Sequence, residues 1–130
     1  MIKLYHFTAN IYFNGIKREG MTKGVTPTNM VNEKGERLFI KNTQWLTIDG
    51  NVDNQFWATY NRKQSRFTVF IPKELAMQKL LSMQTFCEVF KGKLPDGFMD
   101  DPIAKNWYVY IGAIHKQWII SARKYPKGIK

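Results

Sequence analysis

The stretch of sequence that decides the fold lies at the front of the chain and reads Ile2-Lys3-Leu4-Tyr5-His6-Phe7-Thr8. Its apolar and polar positions alternate, which puts Ile2, Leu4 and His6 on one face. A period of two is typical of a β-strand whose two faces meet different surroundings. We therefore predict that the chain begins with a strand, and that His6 lies close to the end of that strand.

A short helix is predicted directly after this strand. Thr8 or Asn10 can cap it, because their side-chain oxygens accept hydrogen bonds from the first unpaired N–H groups of a helix. Gly20 is expected to end the helix, since glycine tolerates the left-handed backbone found at helix termini. The residues predicted to face inward are Ile11, Tyr12 and Ile16.

Further strands and helices follow from the same patterns. The clearest strand runs from Arg66 to Ile71, and Pro72 ends it. Shorter strands are predicted at 38–40, 44–47, 107–111 and 119–120. Helical segments are predicted at 52–60, 73–86 and 114–119, and loops at 21–36 and 91–104. Because strands and helices do not alternate strictly, a doubly wound parallel sheet is not expected. The pattern favours an α+β fold with a small mixed sheet and short helices.

Length and composition favour one compact domain. The chain has 130 residues, of which 44% are hydrophobic and 15% aromatic, enough for a packed core. We predict a single domain over 1–123, followed by a basic C-terminal tail over 124–130. No run of 18 apolar residues occurs, so no membrane-spanning helix or membrane partner is expected. A single cysteine, Cys87, allows no intrachain disulfide and is consistent with a cytoplasmic location.

The charge balance predicts an anionic partner. Lys and Arg number 20 and Asp and Glu 10, which gives a net charge of +10. Cations interleaved with aromatic residues suit nucleic acid, where phosphates meet charge and bases stack. An anionic protein surface is a second possible partner, and a solvated face with buried rings is the structural alternative. The basic residues predicted to bind nucleic acid are Lys17, Arg18, Arg62, Lys63, Arg66, Arg123 and Lys124.

The sequence lacks the motifs of several common classes of binding and catalytic site. There is no phosphate-binding glycine-rich loop, no HExxH zinc motif and no GxSxG nucleophile elbow. His6 and His115 are the only histidines, too few to predict a metal site. The acidic residues form no obvious pair for acid–base catalysis.

Four short segments together carry a resemblance to a known family. They are Leu4-Tyr5-His6-Phe7-Thr8, Gln44-Trp45-Leu46-Thr47, Phe67 to Pro72, and Asn106-Trp107-Tyr108-Val109-Tyr110-Ile111. In this order they resemble the ADP-ribosyltransferase superfamily, especially its small members that modify DNA or remove 2′-phosphates from RNA. The resemblance implies the fold of that superfamily and NAD as the cofactor.

The resemblance also implies roles for individual residues. His6 would hydrogen-bond a ribose of NAD, since an imidazole offers a donor and an acceptor together. Thr8 would contact the same dinucleotide, and Thr47 would line the nicotinamide pocket. Tyr60, or one of the rings Phe56 and Trp57, would stack on the nicotinamide. The structural alternatives are a satisfied core histidine at His6, a helix cap at Thr8 and an ordinary strand hydroxyl at Thr47.

The chain departs from the family at the catalytic carboxylate. The superfamily usually supplies a glutamate at the start of a C-terminal strand, and here Asn106 stands at that place. An amide can keep a hydrogen bond, but it brings no negative charge to stabilise the positive charge that develops as the glycosidic bond breaks. Three explanations stay open: Asp100 or Asp101 supplies the carboxylate, the domain is a pseudoenzyme, or the fold is unrelated.

Two functions are therefore expected from the sequence. The first is an NAD-dependent ADP-ribosyltransferase that modifies a macromolecule such as nucleic acid. The alternative is a non-catalytic basic module that binds nucleic acid or an anionic protein, of the kind that phages and mobile elements use to inhibit host systems.

Overall fold

The computed structural model describes residues 1–55, 60–95 and 104–125. Within these ranges the chain forms eight strands and three α-helices. The strands are β1 Ile2–Thr8, β2 Val25–Val31, β3 Arg37–Lys41, β4 Thr43–Thr47, β5 Ser65–Ile71, β6 Leu80–Ser82, β7 Trp107–Ile111 and β8 Ile119–Lys124. The helices are α1 Phe13–Glu19, α2 Lys73–Lys79 and α3 Met83–Val89. Turns of 3-10 helix lie at Asn10–Tyr12, Val52–Asn54, Tyr60–Lys63, Ala104–Asn106 and Lys116–Trp118.

Six of the strands form one sheet in the order β6-β7-β4-β1-β5-β8, and β2 and β3 form a separate hairpin. Every described pairing is antiparallel, including Leu4 opposite Val69 and Trp45 opposite Val109. The α+β class predicted from the sequence is confirmed. The described neighbours in the main sheet are all antiparallel, whereas a small mixed sheet was predicted, because no βαβ unit joins these strands in parallel.

The main sheet carries a hydrophobic cluster on each face. One cluster contains Leu4, Leu46 and Phe67 and packs against Phe13 of α1. The other contains Val109 and the side chains of α3 that pack over it. Because successive side chains of a strand point to opposite faces, Trp45 and Leu46 contribute to different clusters. The sheet is therefore buried on both sides at its centre.

The region predicted as a loop over 21–36 contains the strand β2. Its sequence looks polar, but Thr26 and Thr28 are buried, with 0% and 2% of their surface exposed. The Thr28 hydroxyl donates to the Leu38 carbonyl at 2.8 Å, and Thr26 bonds to another hydroxyl. Buried threonines with satisfied hydroxyls suit a strand, so the prediction of a loop over the whole segment was wrong.

The first helix also differs in detail from the prediction. It begins at Phe13, after a 3-10 turn whose N-cap residue is Ala9, and Thr8 belongs to β1. Ile11 and Tyr12 were predicted to face inward, but they are 83% and 60% exposed. Phe13 is the residue that enters the core. The predicted end of the helix at Gly20 is confirmed by a positive φ of 82°.

Other boundaries shift by smaller amounts. The segment predicted as one helix over 73–86 is interrupted by β6, because Leu80–Ser82 pairs with β7. A 3-10 turn at Val52–Asn54 replaces the first part of the helix predicted over 52–60, and residues 56–59 lie outside the described part. Lys124, predicted as the first residue of the C-terminal tail, is the last residue of β8, and residues 126–130 lie outside the described part. Within the described ranges, no helix is long and apolar enough to cross a bilayer.

Candidate functional site

The main sheet opens at its centre, between β1 and β4. These strands pair at a single position, Tyr5 opposite Thr47, whereas β1 pairs with β5 along its whole length. His6 lies at the opening, with its Nδ1 atom 2.7 Å from the Trp45 carbonyl oxygen. A carbonyl oxygen can only accept, so Nδ1 carries the hydrogen and donates it. The imidazole thus connects β1 and β4 next to the single position at which their backbones pair.

A cleft of about 1130 Å³ extends from this opening. Small-molecule sites typically measure roughly 300–1,000 Å³, so the space suits a ligand as large as a dinucleotide. Its lining comes mainly from the end of β1, from α1 and the turn before it, from the segment between α1 and the start of β2, and from the first residues of β4 and β7. The lining residues include His6, Thr8, Trp45, Ala104 and Trp107.

The protonation of His6 follows from its surroundings. Burial lowers the pKa of His6 from its usual value, because a charged ring loses solvation in the interior. The hydrogen bond to the Trp45 carbonyl acts in the opposite direction and is the smaller effect. At neutral pH the ring is therefore uncharged. With Nδ1 protonated, Nε2 has a lone pair with which to accept a hydrogen bond.

A chain of hydrogen bonds fixes the partner of His6. The indole Nε1 of Trp45 donates to the Thr26 hydroxyl at 2.7 Å. The Thr26 and Thr43 hydroxyls lie 2.8 Å apart, and Thr43 donates to the Ile40 carbonyl at 3.1 Å. Because the Thr43 hydroxyl donates its hydrogen to Ile40, the Thr26 hydroxyl must be the donor to Thr43. The Trp45 indole and the Thr26 and Thr43 hydroxyls thus each donate one hydrogen bond. This network joins the β2–β3 hairpin to the wall of the cleft.

Aromatic packing holds the same tryptophan from the other side. The ring of Trp45 lies 6.2 Å from that of Trp107 and 6.5 Å from that of Phe86. Tilted and edge-on ring pairs of this kind add to the stabilisation from burial alone. Trp45 and Trp107 therefore form one apolar wall of the cleft.

A glycine allows the chain after α1 to approach β4 closely. A Cβ atom on Gly24 would lie 2.2 Å from the Thr43 carbonyl oxygen and 2.3 Å from Gln44 Oε1. The Gly24 carbonyl in turn accepts from the Thr43 N–H at 3.1 Å. Any larger residue would push this wall of the cleft outward.

The cleft carries more positive than negative charge. Its cationic residues within the described part are Arg18, Lys23 and Arg62, and its one carboxylate there is Glu19. Arg18 Nε and Glu19 Oε1 are 4.0 Å apart and both side chains are largely exposed, so this ion pair is weak. The surplus of cations suits a ligand that carries phosphate groups.

The structure places the predicted dinucleotide residues as follows. His6 and Thr8 both line the cleft, together with Trp107 of the late strand. Thr47 is 1% exposed and lies outside the cleft lining, and its hydroxyl accepts from the Asp49 N–H at 3.1 Å. The Tyr60 backbone lies in a 3-10 turn. Its side chain and the rings of Phe56 and Trp57 fall outside what the structure describes.

The predicted catalytic residues are only partly located. Asn106 ends the 3-10 turn before β7, and its carbonyl accepts from the Ile48 N–H at 3.1 Å. Its neighbours Ala104 and Trp107 line the cleft, whereas Asn106 does not. The alternatives Asp100 and Asp101 lie outside the described residues. Among the described residues there is no group of three or more His, Cys, Asp or Glu that could hold a metal ion.

The predicted nucleic-acid residues divide into two sets. Arg18 and Arg62 line the cleft. Lys17, Arg66, Arg123 and Lys124 lie instead around the end of the sheet where β5 begins and β8 ends, and there the structure brings together residues from separate parts of the sequence. Lys63 is half-buried in the turn Tyr60–Lys63.

Sequence reasoning missed the supports of His6. The Trp45 carbonyl is a backbone group, which no side-chain pattern can signal, and Thr26 belongs to a segment that resembled a loop. The Trp-Leu-Thr segment did mark the correct strand, although Trp45 rather than Thr47 reaches the cleft.

Comparisons with protein-family models, with curated proteins and with solved structures find no match to this chain. A function must therefore be argued from the chemistry of the cleft.

Proposed function

We propose that this chain binds NAD in the cleft and transfers ADP-ribose to a macromolecule, as the superfamily that its sequence resembles does. The observation that carries the proposal is the position of His6. An uncharged imidazole, held through Nδ1 to the Trp45 carbonyl, lines a cleft large enough for a dinucleotide. The early strand and the ring-rich late strand contribute to the same cleft, which supports the arrangement that the sequence predicts.

The residues present fit such a ligand. His6 Nε2 can accept a hydrogen bond from a ribose hydroxyl, and the Thr8 hydroxyl offers a second polar contact. Arg18, Lys23 and Arg62 supply positive charge for a diphosphate. The apolar wall of Trp45 and Trp107 keeps water from one side of the cleft. NAD, when bound, supplies the glycosidic bond that is cleaved and the ADP-ribose that is transferred.

The proposed transfer also needs a negative charge at the reacting ribose. Transfer requires stabilisation of positive charge near the ribose, which carboxylates provide. Glu19 lies in the cleft lining, and Asp100 and Asp101 precede Ala104 and Trp107 in the chain. We assign the role to one of these three carboxylates, and not to Asn106, whose side chain has no charge.

The test is incubation with labelled NAD and separate DNA, RNA and protein acceptors, with nicotinamide release measured in parallel. The wild-type chain should label one acceptor class or release nicotinamide. His6→Ala should lower the rate by about 100-fold or more, the usual effect of removing a preorganised polar group at the reacting centre. His115→Ala, the other histidine, is the matched control and should keep the wild-type rate.

Carboxylate variants locate the charge. Glu19→Gln, Asp100→Asn and Asp101→Asn each remove one negative charge with little change in shape, and one of them should abolish turnover while NAD still binds. Absence of both transfer and nicotinamide release from the folded wild-type chain, with every acceptor class, would overturn the proposed activity.

A non-catalytic binding module is the second candidate, and Asn106 is the observation that favours it. In that case NAD or another phosphate ligand would bind and be released unchanged. A ligand that binds the native state raises the unfolding temperature. A thermal shift with NAD in the absence of turnover would therefore support this second candidate over the first.

A further inference from the structure

Basic residues from distant parts of the sequence meet at one end of the main sheet. There β1 ends, β5 begins and β8 ends, so Thr8 lies opposite Ser65 and Ser65 opposite Lys124. The cleft opens at this same end of β1, because His6 and Thr8 line it. We call this end of the sheet the basic sheet end: it carries Lys17 and Lys124 on the face that α1 covers, and Arg66 and Arg123 on the opposite face.

Aromatic rings organise these cations. Lys17 Nζ lies 5.5 Å and Lys124 Nζ 4.7 Å from the centre of the Phe13 ring. The Arg123 guanidinium lies 4.9 Å from the ring of Tyr125. Cations over ring faces are held in place without a carboxylate. Lys17, Arg123 and Lys124 are exposed, so their charges remain available to a ligand.

On the face of the sheet opposite α1, the Tyr5 ring lies near two cations, Lys3 of its own strand β1 and Arg66 of the neighbouring strand β5. The Arg66 guanidinium lies 5.0 Å and Lys3 Nζ 5.7 Å from its centre. Arg66 Nη1 also donates to the Gly50 carbonyl at 2.8 Å. Arg66 is therefore fixed in position, whereas Arg123 beside it is exposed.

Two of these cations oppose each other directly. Arg66 and Arg123 are partners across the antiparallel pair β5–β8. Like charges at opposed positions destabilise a sheet. Within the described part of the chain the sole ion pair is Arg18 with Glu19, so no described carboxylate neutralises Arg66 or Arg123. A bound polyanion would relieve this repulsion.

We propose that the basic sheet end binds the phosphodiester backbone of a single-stranded nucleic acid and directs the strand into the cleft. Continuity along α1 supports a path between the two, because Lys17 belongs to the basic sheet end and the adjacent Arg18 lines the cleft. Tyr12, 60% exposed and also in the cleft lining, offers a ring on which a base stacks. A free strand, unlike a duplex, presents its bases to such a ring.

This inference rests on the proposed function for the role of the strand as acceptor, whereas binding of the strand requires no NAD. The test is fluorescence anisotropy with a labelled single-stranded DNA oligonucleotide and its RNA equivalent, without NAD. The test variant is Arg123→Glu/Lys124→Glu. The control is Lys34→Glu/Arg37→Glu, which makes the same charge change at exposed positions near and in β3 of the hairpin.

The test variant should weaken binding by about tenfold or more and flatten the dependence on salt, since each lost phosphate contact removes about 0.7 from the logarithmic slope for single strands. The control should change affinity by less than about threefold. Arg123→Glu also puts a carboxylate opposite Arg66, so the test variant should unfold at the same temperature as the wild type. If the variant lost binding because its fold was damaged, its unfolding temperature would fall. Tyr12→Ala should weaken binding by about fivefold or more.

Three results would overturn the inference: equal losses in the two charge-reversal variants, no measurable binding to either oligonucleotide, or tighter binding to polyglutamate than to the oligonucleotides. NAD binding by the wild-type chain, measured separately by its thermal shift, distinguishes the two proposals. Oligonucleotide binding by a chain that does not bind NAD would contradict the proposed function alone.

Discussion

His6 is held in one tautomer by one backbone atom. Its Nδ1–H is used by the Trp45 carbonyl, and burial keeps the ring uncharged at neutral pH. Both effects leave Nε2 as an acceptor. Protonation of Nε2 would replace that acceptor with a donor and add a charge to a desolvated site, so folding is coupled to this proton, and binding of the proposed ligand would be coupled to it as well.

Protonation of His6 should make the stability of the chain depend on pH. Because the pKa of His6 in the folded chain is below its usual 6.5, the unfolded chain binds more protons just below that pH. The free energy of unfolding should therefore be unaffected by His6 above pH 6.5 and should fall as the pH drops from there towards the lowered pKa. Denaturant unfolding across this window measures it, with His6→Gln as the control.

His6→Gln removes the titrating group and should reduce the slope of stability against pH below 6.5. NAD affinity of the wild-type chain should decrease over the same window, as Nε2 becomes protonated. Identical slopes for the wild type and His6→Gln would show that His6 is equally solvated in the folded and unfolded chains.

The positions of single residues were predicted unevenly by the sequence. His6 and Thr8 were assigned to the site by the family resemblance, and the strand pattern placed His6 close to the end of β1, where both residues line the cleft. Thr47 was also placed there, but its hydroxyl bonds to the Asp49 N–H in the following turn. Strand patterns identify the end of a strand, and they do not tell whether a hydroxyl turns back to its own backbone.

At the scale of elements, the junction after α1 sets one wall of the cleft. Gly20 adopts a φ of 82°, and a Cβ there would lie 2.3 Å from the Ile114 carbonyl oxygen. Met21 and Ile114 exchange two backbone hydrogen bonds of 2.9 Å each. The helix end is thereby fastened to the segment between β7 and β8, next to Arg18 and Glu19.

Gly20→Ala should destabilise the chain by more than about 2 kcal/mol, because a left-handed backbone costs a non-glycine residue about 1–2 kcal/mol and the Cβ clash adds to this. Gly15→Ala is the matched control in the same helix. A Cβ at Gly15 meets nothing within 4 Å, so alanine should stabilise the helix by about 0.5–1 kcal/mol. Chemical denaturation measures both, and equal effects would contradict the junction described here.

The strands β1 and β5, whose apolar positions alternate, were predicted well, and β7 was predicted from its run of aromatic residues. The strand β2 was missed because its buried residues are threonines, whose hydroxyls are satisfied by partners distant in sequence, such as Thr43 and Leu38. β6 was missed because Leu80–Ser82 continues a helical pattern, and pairing with β7 overrides it. Contacts between distant segments decided both cases.

At the scale of the whole molecule, the cleft arises from strand order. β1 lies between β4 and β5, pairs fully with β5 and only briefly with β4, and so leaves an opening in the middle of the sheet. The sequence predicted an α+β class but not this order, which depends on pairings between distant segments. The +10 charge was visible in composition, whereas its gathering at the end where the cleft opens follows from the order of β1, β5 and β8.

The proposed function depends on an uncharged imidazole at this opening that accepts a hydrogen bond from a dinucleotide. The most direct test is ¹⁵N NMR of the histidine rings during a titration with NAD at neutral pH, with His115 as an internal reference. We predict that free His6 shows a protonated Nδ1 and an unprotonated Nε2, and that NAD shifts the His6 Nε2 resonance while His115 stays unchanged. A His6 ring whose resonances do not move at saturating NAD, or whose proton sits on Nε2, would contradict it.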